Sequence, residues 1–222
     1  MLKIAIDGAC RRNGKPDCVA SGAIFIQYIE DSSVVETDLR ADHEYCSTNQ
    51  RGELLALTLA LRAILNSKQE AQIITDSEYL FNAMTKKWCD RWSRNGFKTA
   101  SGEEVKNADM WATIAALSSE CDKLDIEVNY YHIKGHCIPF GKVTANNLLY
   151  EEPTGSLLYA AAAEKYDNVA PTKQDVLKNA QNLSIKNNGF ELSEELLKDF
   201  VVSNVVVDAI ATAEVDAADR KI

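Results

Sequence analysis

Long apolar runs, paired cysteines and a leader-like N-terminus are all missing from this chain of 222 residues. No apolar run approaches the roughly 18 residues that a membrane span needs, and the N-terminus begins with a strand pattern instead of a signal peptide. The six cysteines lie apart, without a CxxC pair or a Cys/His cluster, which argues against a zinc site and a secreted disulfide framework. We therefore expect a soluble, cytoplasmic protein with free thiols and no membrane partner.

Basic charge is also scarce, because 24 Lys and Arg residues oppose 33 Asp and Glu residues and leave a net charge of −9. This balance argues against a nucleic-acid partner unless the bases are concentrated locally. The segment 84–107 has six bases and three acids, a local charge of +3, with Trp88, Trp92 and Phe97 between the bases. It fits either a surface that follows a phosphate backbone or a solvated helix with ordinary core aromatics.

Alternating apolar residues predict an antiparallel three-stranded meander at the start of the chain. Residues 2–7 alternate with a period of two, and 20–28 and 34–41 repeat the pattern after turn-rich stretches. Consecutive strands with short connections are expected to pair with one another.

Helices and further strands then alternate along the sequence. The patterns predict, in order, a helix over 54–65 behind a cap at Ser47 or Thr48, a strand over 71–75, a helix from 77 toward 88, a helix over 105–117 and a strand over 125–133. Three strands followed by helix-separated strands indicate an α/β fold, with a mixed five-stranded sheet and helices on both faces.

The region 137–203 differs in character from the rest, with three prolines and a charge of six bases minus nine acids, or −3. Helices are predicted over 156–166, 173–183 and 193–202. An alanine-rich closing helix is predicted over 204–220.

Four acids fall at the boundaries of predicted elements: Asp7, Glu53, Asp76 and Asp208. Asp7 and Asp76 end strands, and Glu53 and Asp208 lie near the starts of helices. Neighbouring element ends can bring such groups together, and crowded carboxylates need counter-charge because each raises the pKa of the others. Mg²⁺ prefers oxygen ligands, and a pair of such ions can promote phosphodiester hydrolysis. Each acid by itself also fits a plain structural role, as a turn residue or a helix-dipole acid.

Whole motifs surround these acids and follow one another along the chain. They are Ile4-Ala-Ile-Asp7-Gly-Ala-Cys10, Thr48-Asn-Gln-Arg-Gly-Glu53-Leu-Leu-Ala-Leu57, Ile74-Thr-Asp76-Ser-Glu-Tyr79 and Ile133-Lys-Gly-His136. In residue type and order they resemble type 1 ribonuclease H. The segments 88–92, 96–99 and 105–111 look like the basic handle of the bacterial or phage-like forms, so the resemblance is nearly continuous over 2–136.

The resemblance implies a ribonuclease H-like fold and endonucleolytic hydrolysis of the RNA strand of RNA–DNA hybrids, which leaves 5′-phosphate and 3′-hydroxyl ends. It also implies that Asp7, Glu53, Asp76 and a fourth acid bind two Mg²⁺ ions, with Mn²⁺ as a substitute. His136 would lie on a loop and assist proton transfer or product release.

The same resemblance assigns residues that contact the hybrid, where the 2′-hydroxyl distinguishes RNA from DNA. They are Asn13, Thr48, Asn49 and Gln50, together with Trp88 and Lys98 on the handle. The expected partner is therefore an RNA–DNA hybrid, and the expected state is a monomer.

The fourth acid is where the chain departs from the family pattern. In the family this acid usually follows the loop histidine closely, and the matching position here is Asn146, whose neutral amide is a weaker metal ligand. The run Asn204-Val-Val-Val-Asp208-Ala-Ile-Ala211 resembles the family's Asn-x-x-x-Asp-x-x-Ala, so we prefer Asp208. Residues 1–136 and 204–222 would then form the ribonuclease H domain, and 137–203 would be a helical insertion after His136.

Several points stay open at this level. The insertion could clamp the hybrid, bind an unknown protein partner or shield the site, and its acidity makes phosphate binding the least favoured of its roles. Glu78 replaces an uncharged amide of many relatives and would either repel phosphate or face away from the site. A binding module without cleavage would fit if Asn146 fills the fourth position. A DNA exonuclease or junction resolvase is disfavoured by the handle and by Lys134-Gly-His136.

Overall fold

The structure is a computed structural model that describes residues 1–136, 154–168, 173–189 and 191–221. Asn146 lies outside these residues. Within them, a five-stranded sheet carries a hydrophobic core on each face. None of the helices in these ranges combines the length and the apolar character that a membrane crossing requires.

The sheet is mixed, with its strands in the spatial order β3-β2-β1-β4-β5. Its strands are β1 (Leu2–Arg11), β2 (Val19–Glu30), β3 (Ser33–Tyr45), β4 (Ala71–Thr75) and β5 (Val128–His132). β1 pairs antiparallel with β2 and parallel with β4, and β5 continues the parallel half. The predicted fold class is confirmed. β1, β2 and β3 are longer than predicted, because their pairing continues beyond the alternating apolar residues. The pairing extends to Val19 of β2, which lies opposite Arg11 of β1 and Tyr45 of β3.

Four helices follow in the first part of the chain: α1 (Asn49–Ser67), α2 (Glu78–Thr85), α3 (Trp88–Arg94) and α4 (Ala108–Lys123). The predicted cap at Thr48 is confirmed, because its hydroxyl accepts a hydrogen bond from the Arg51 N–H at 3.4 Å and α1 begins at the next residue. The helix predicted from 77 toward 88 ends at Thr85, and Lys87 adopts a left-handed conformation with φ of 55° before α3 begins.

Three further helices are α5 (Thr154–Asn168), α6 (Lys173–Asn188) and α7 (Glu194–Asp219). The predicted division into helices over 193–202 and 204–220 is wrong, because α7 runs without a break through Ser203 and Asn204. Both residues are buried in the helix, and the Ser203 hydroxyl lies 3.5 Å from the Gln27 side-chain oxygen of β2. Ser203 therefore faces the sheet, and the two polar residues do not start a new helix.

The two faces of the sheet bury different helices. α1, α2 and α4 cover one face, where Ile4 and Ile6 of β1 point. α5, α6 and α7 contribute to the core on the other face, which includes Ala5 of β1 and Phe25 of β2. The described helices of the predicted insertion are therefore part of a main hydrophobic core.

Glycines bring α1 directly onto the backbone of the sheet. A Cβ added to Gly22 on β2 would overlap the backbone around Ala56, and one added to Gly8 on β1 would overlap the backbone of Gly52 and Glu53. Because backbone atoms cannot yield as a flexible side chain can, these positions need glycine. The start of α1 is thereby held against β1.

We expect Gly22→Ala to lower the free energy of unfolding by about 1–3 kcal/mol, since the added methyl group must push α1 away from β2. Urea denaturation in the presence of a chelator measures this change. The matched control is Gly14→Asn, because Gly14 has open space around it and a φ of 80° that asparagine tolerates. A Gly22→Ala protein as stable as the control would contradict the close packing.

Candidate active site

The register of the central strands brings Asp7 and Asp76 to the same level of the sheet. Ala5 of β1 pairs with Ile74 of β4, and each aspartate lies two residues further along its parallel chain. Asp76 follows the last residue of β4, and Asp7 lies within β1. The carboxyl ends of parallel strands meet at one edge, and this edge therefore carries both acids.

Glu53 joins them from the first turns of α1, which the Gly8 contact holds against β1. One carboxylate oxygen each of Asp7, Glu53 and Asp76 lies within 4.8 Å of the others. The Oε2 atom of Glu53 is buried and has no hydrogen-bond partner among the described residues. Three acids predicted from remote parts of the sequence are thus brought together.

Burial and mutual repulsion control the ionisation of this group. Burial is the largest cause of a raised pKa at Asp7, followed by the charges of Asp76, Glu53 and Asp208, while the Gly8 N–H opposes the shift by donating to the carboxylate at 2.7 Å. Burial, followed by the charge of Asp76, raises the pKa of Glu53 to about 8. Burial also raises the pKa of Asp76, with His136 opposing and Asp208 adding to the shift.

These properties fit a divalent cation. The group offers only carboxylate oxygens, which hard cations such as Mg²⁺ and Ca²⁺ prefer over nitrogen or sulfur ligands. A cation would also give the buried Glu53 Oε2 an interaction partner and would compensate the like charges. The arrangement is costly without counter-charge and becomes favourable with it.

Asp208 approaches the same site from α7. Its carboxylate Oδ2 lies 3.6 Å from Nδ1 of His136, and its charge raises the pKa values of both Asp7 and Asp76. The prediction that Asp208 opens the closing helix is wrong, because it lies deep within α7, fourteen residues after Glu194. The continuous helix α7 packs along the sheet, and Asp208 extends from its middle toward His136.

His136 lies on the loop that follows β5, and its imidazole is 79% exposed. Its backbone is left-handed, with φ of 54°. The preceding Gly135 leaves no room for a Cβ, which would overlap the Asp76 carboxylate. The loop therefore passes directly over Asp76 and presents the His136 imidazole to solvent beside the acidic group.

Sequence reasoning did not identify His132 as part of this region. It is the last residue of β5, is 5% exposed, and its Nε2 lies 3.0 Å from the backbone oxygen of Asp76. Its Nδ1 lies 2.6 Å from the Asn187 amide nitrogen of α6. The sequence feature that could have indicated His132 is a histidine within the predicted strand 125–133, four positions before His136.

The predicted hybrid-contacting residues near α1 form one small area. The Asn13 side-chain oxygen accepts a hydrogen bond from the Asn49 N–H at 3.3 Å, which joins the β1–β2 loop to the start of α1. Thr48 caps that helix. The Gln50 Oε1 atom is buried without a hydrogen-bond partner among the described residues. The four residues thus gather at the helix start that also carries Glu53.

The basic segment 84–107, which overlaps the predicted handle, has features of both interpretations of its sequence. Its six bases are all exposed: Lys86, Lys87, Arg91, Arg94, Lys98 and Lys106. Its aromatics are half-buried against the core, and Trp92 meets Trp111 of α4 with ring centroids 5.2 Å apart. Lys86 lies over the Trp88 ring at 5.9 Å. The aromatics support a surface whose outer side is basic.

Glu78 lies in the first turn of α2 and is exposed. It is not a member of the close carboxylate group found among the described residues.

Comparison with known proteins identifies relatives over this part of the chain. A family model described as RNase H matches residues 2–148, which include the three clustered acids and His136. A protein named Ribonuclease H from Syntrophomonas wolfei is 33% identical over 133 residues, 60% of this chain and 82% of the relative. Another of that name from Hahella chejuensis is 35% identical over 135 residues, 61% of this chain and 81% of the relative.

Solved structures show the same fold. A crystal structure of LC9-RNase H1, described as a type 1 RNase H with the type 2 active-site motif, has a TM-score of 0.50 and 23% identity. The match covers 61% of this chain and 63% of that one. The prototype foamy virus protease-reverse transcriptase also gives a TM-score of 0.50, at 19% identity, over 82% of this chain and 20% of that one.

The acidic group predicts a stability that falls with rising pH when no metal is present. The ordinary pKa of Glu53 is 4.5 and its folded value is about 8, so between these values the folded state binds more protons than the unfolded state. The raised pKa values of Asp7 and Asp76 act in the same direction. We expect Asp7→Asn to raise the unfolding free energy at pH 8 by about 1–3 kcal/mol, since one pKa unit is worth about 1.4 kcal/mol.

Urea denaturation in a chelator between pH 5 and pH 8 measures this dependence. The control is Asp31→Asn, an exposed turn acid with φ of 47°, which should leave the dependence on pH unchanged. Equal pH profiles for Asp7→Asn and the unmodified protein would show that repulsion at this site does not limit the stability.

Proposed function

The chain belongs to the ribonuclease H family, and on this premise we propose that it hydrolyses the RNA strand of RNA–DNA hybrids at the acidic group of Asp7, Glu53 and Asp76. The observation that carries the proposal is the approach of these three carboxylates, within 4.8 Å, in a region that matches the family. Endonucleolytic cleavage with 5′-phosphate and 3′-hydroxyl products is part of the proposal.

The proposed cofactor is a pair of Mg²⁺ ions, with Mn²⁺ as a substitute. The oxygen-only donor set supports this choice, because Mg²⁺ and Mn²⁺ both suit carboxylate ligands. When bound, such ions supply the positive charge that makes water a better nucleophile and stabilises the leaving oxygen of a phosphodiester. Asp7, Glu53, Asp76 and Asp208 would hold them.

The protein's own residues prepare the site in three ways. Asp7, Glu53 and Asp76 release protons on binding cations, so occupancy of the site should increase with pH. The packing of α1 on β1 excludes water from behind Glu53. Asp208 lies 3.6 Å from Nδ1 of the His136 ring, and the exposed imidazole can carry a proton to or from the leaving 3′-oxygen.

Substrate binding is proposed for two areas on either side of the acids. Asn13, Thr48, Asn49 and Gln50 offer amide and hydroxyl groups of the type that can contact sugar hydroxyls and phosphates, and a 2′-hydroxyl there would mark the RNA strand. On the handle, the exposed bases near Trp88 and Lys98 suit the phosphate backbone of the hybrid. The local charge of +3 over 84–107 is opposite in sign to the net charge of −9.

For the domain organisation, we propose that 137–203 is an insertion in the loop after His136 and that 204–222 returns to the ribonuclease H domain. The proposed boundary lies within the continuous helix α7, which both parts share. The position of Asp208 beside His136 supports this arrangement. We also propose a cytoplasmic monomer, a location consistent with the free thiols of the five cysteines among the described residues. A protein partner of the insertion is a further part of the hypothesis.

Cleavage of a labelled hybrid in Mg²⁺ tests the assignment. Asp7→Asn, Glu53→Gln and Asp76→Asn should each reduce the rate by about a thousandfold or more, because cation binding depends on all three carboxylates. Asp208→Asn should also reduce the rate strongly, whereas Asn146→Ala should change it little. The control Asp31→Asn should cleave normally.

Retained activity in the three-acid variants would refute the proposed site. Loss of activity in Asn146→Ala but not in Asp208→Asn would reassign the fourth position. Tight hybrid binding without cleavage by the unmodified protein would instead indicate a binding module, and preferred cleavage of duplex DNA would indicate another nuclease of the same fold.

The handle predicts a salt-dependent contribution to hybrid affinity. Lys98→Ala should weaken binding at low salt and reduce the slope of log affinity against log salt by about 1, since one phosphate contact is lost. Fluorescence anisotropy with a labelled hybrid in Ca²⁺ over a salt series measures both. Lys123→Ala is the control, because Lys123 is exposed on α4 and pairs with Glu120. An unchanged slope in Lys98→Ala would remove Lys98 from the interface.

A further inference from the structure

A second histidine lies directly behind the acidic group and plays no part in the function proposed above. His132 ends β5 and pairs in register with Thr75, the residue before Asp76. Its ring stacks on Phe81 of α2, with centroids 5.6 Å apart and an interplanar angle of 26°. Packing on this side and burial to 5% exposure fix the plane of the imidazole.

Both nitrogens of this ring have partners whose chemistry determines the direction of each hydrogen bond. Nε2 lies 3.0 Å from the backbone oxygen of Asp76, and a carbonyl can only accept, so Nε2 carries the hydrogen. Nδ1 lies 2.6 Å from the Asn187 amide nitrogen, which can only donate, so Nδ1 is the acceptor. Asn187 thereby selects the tautomer that His132 needs in order to hold Asp76.

The backbone of Asp76 lies just beyond the regular pairing of the strands, because the last registered pair of β4 and β5 is Thr75 with His132. The hydrogen bond from His132 extends the restraint by one residue, to the residue whose carboxylate belongs to the acidic group. Its anchor, Asn187, lies on α6, within the segment 137–203. A chain of two hydrogen bonds therefore joins this segment to the acidic site.

We propose that His132 and Asn187 are positioning residues for Asp76, and that the helix α6 thereby tunes the affinity of the site for divalent cations. This inference rests on the proposed function, because it assumes that Asp76 binds a cation. Partners behind a metal ligand restrict its orientation, and their loss typically reduces metal affinity or activity by about 10–100-fold. The segment 137–203 then contributes to catalysis by supporting a ligand and not by touching the substrate.

Calorimetric titration of the full chain with Mn²⁺, in the absence of any hybrid, tests this role. Asn187→Ala and His132→Phe should each weaken Mn²⁺ binding by about tenfold or more, because each breaks the two-bond chain. The double variant should bind no more weakly than His132→Phe alone. Asn182→Ala is the matched control, since Asn182 is an exposed asparagine on the same helix, and it should bind Mn²⁺ normally.

A second pair of measurements separates positioning from packing. His132→Gln should recover much of the affinity lost in His132→Phe, because its amide nitrogen can still donate to the Asp76 carbonyl while phenylalanine retains only the ring. The KM for the hybrid should stay unchanged in Asn187→Ala, with the metal concentration for half-maximal cleavage increased.

Normal Mn²⁺ affinity in both Asn187→Ala and His132→Phe would overturn the inference, as would a loss that His132→Gln fails to recover. Failure of the unmodified protein to bind Mn²⁺ or to cleave a hybrid would overturn the proposed function and this inference together. Normal binding and cleavage by the unmodified protein, with unaffected variants, would overturn the inference alone.

Discussion

Repulsion among three crowded carboxylates, one buried and two half-buried, is the constraint on which the architecture of this protein depends. Asp7, Glu53 and Asp76 would separate if their supports allowed it, since like charges in a poorly solvated site raise one another's pKa. The supports are stiff: two acids extend from adjacent parallel strands, and the third lies on a helix held to the sheet by glycine contacts. The crowded acids therefore lower the free energy of unfolding when no cation is bound, and the same crowding makes the site attract cations.

The helix α7 provides a second kind of support, from the opposite face of the sheet. Its apolar side is buried along most of its length, and ion pairs fix it near both ends. Lys3 of β1 pairs with Asp199 at 2.5 Å, and Arg11 of the same strand pairs with Asp216 at 2.6 Å. Partly exposed pairs contribute little energy, typically below about 1 kcal/mol, but these two restrict the rotation of α7. Asp208, which lies between them, therefore keeps its direction toward His136.

Local patterns predicted much of the fold and the three central acids. The strand over Ala71–Thr75 was predicted to the residue because a short apolar run is bounded there by polar residues. Other limits depended on partners far away in the sequence. The continuity of α7 through Ser203 and Asn204 was missed because a polar pair resembles a helix start until Ser203 is seen to face Gln27. His132 was missed for the same reason, since its partners lie 56 and 55 residues away.

The sequence by itself determined the order of the five strands, the α/β class and the identity of the acids, because these depend on periodicity and on motifs that are local along the chain. Only the tertiary structure decided which oxygens approach one another, where Asp208 lies on its helix and how Asn187 reaches His132. The physical reason is that distance and burial arise from packing between remote segments. The neighbours of a carboxylate, and hence the shift of its pKa, are set only when the sheet and both layers of helices have packed together.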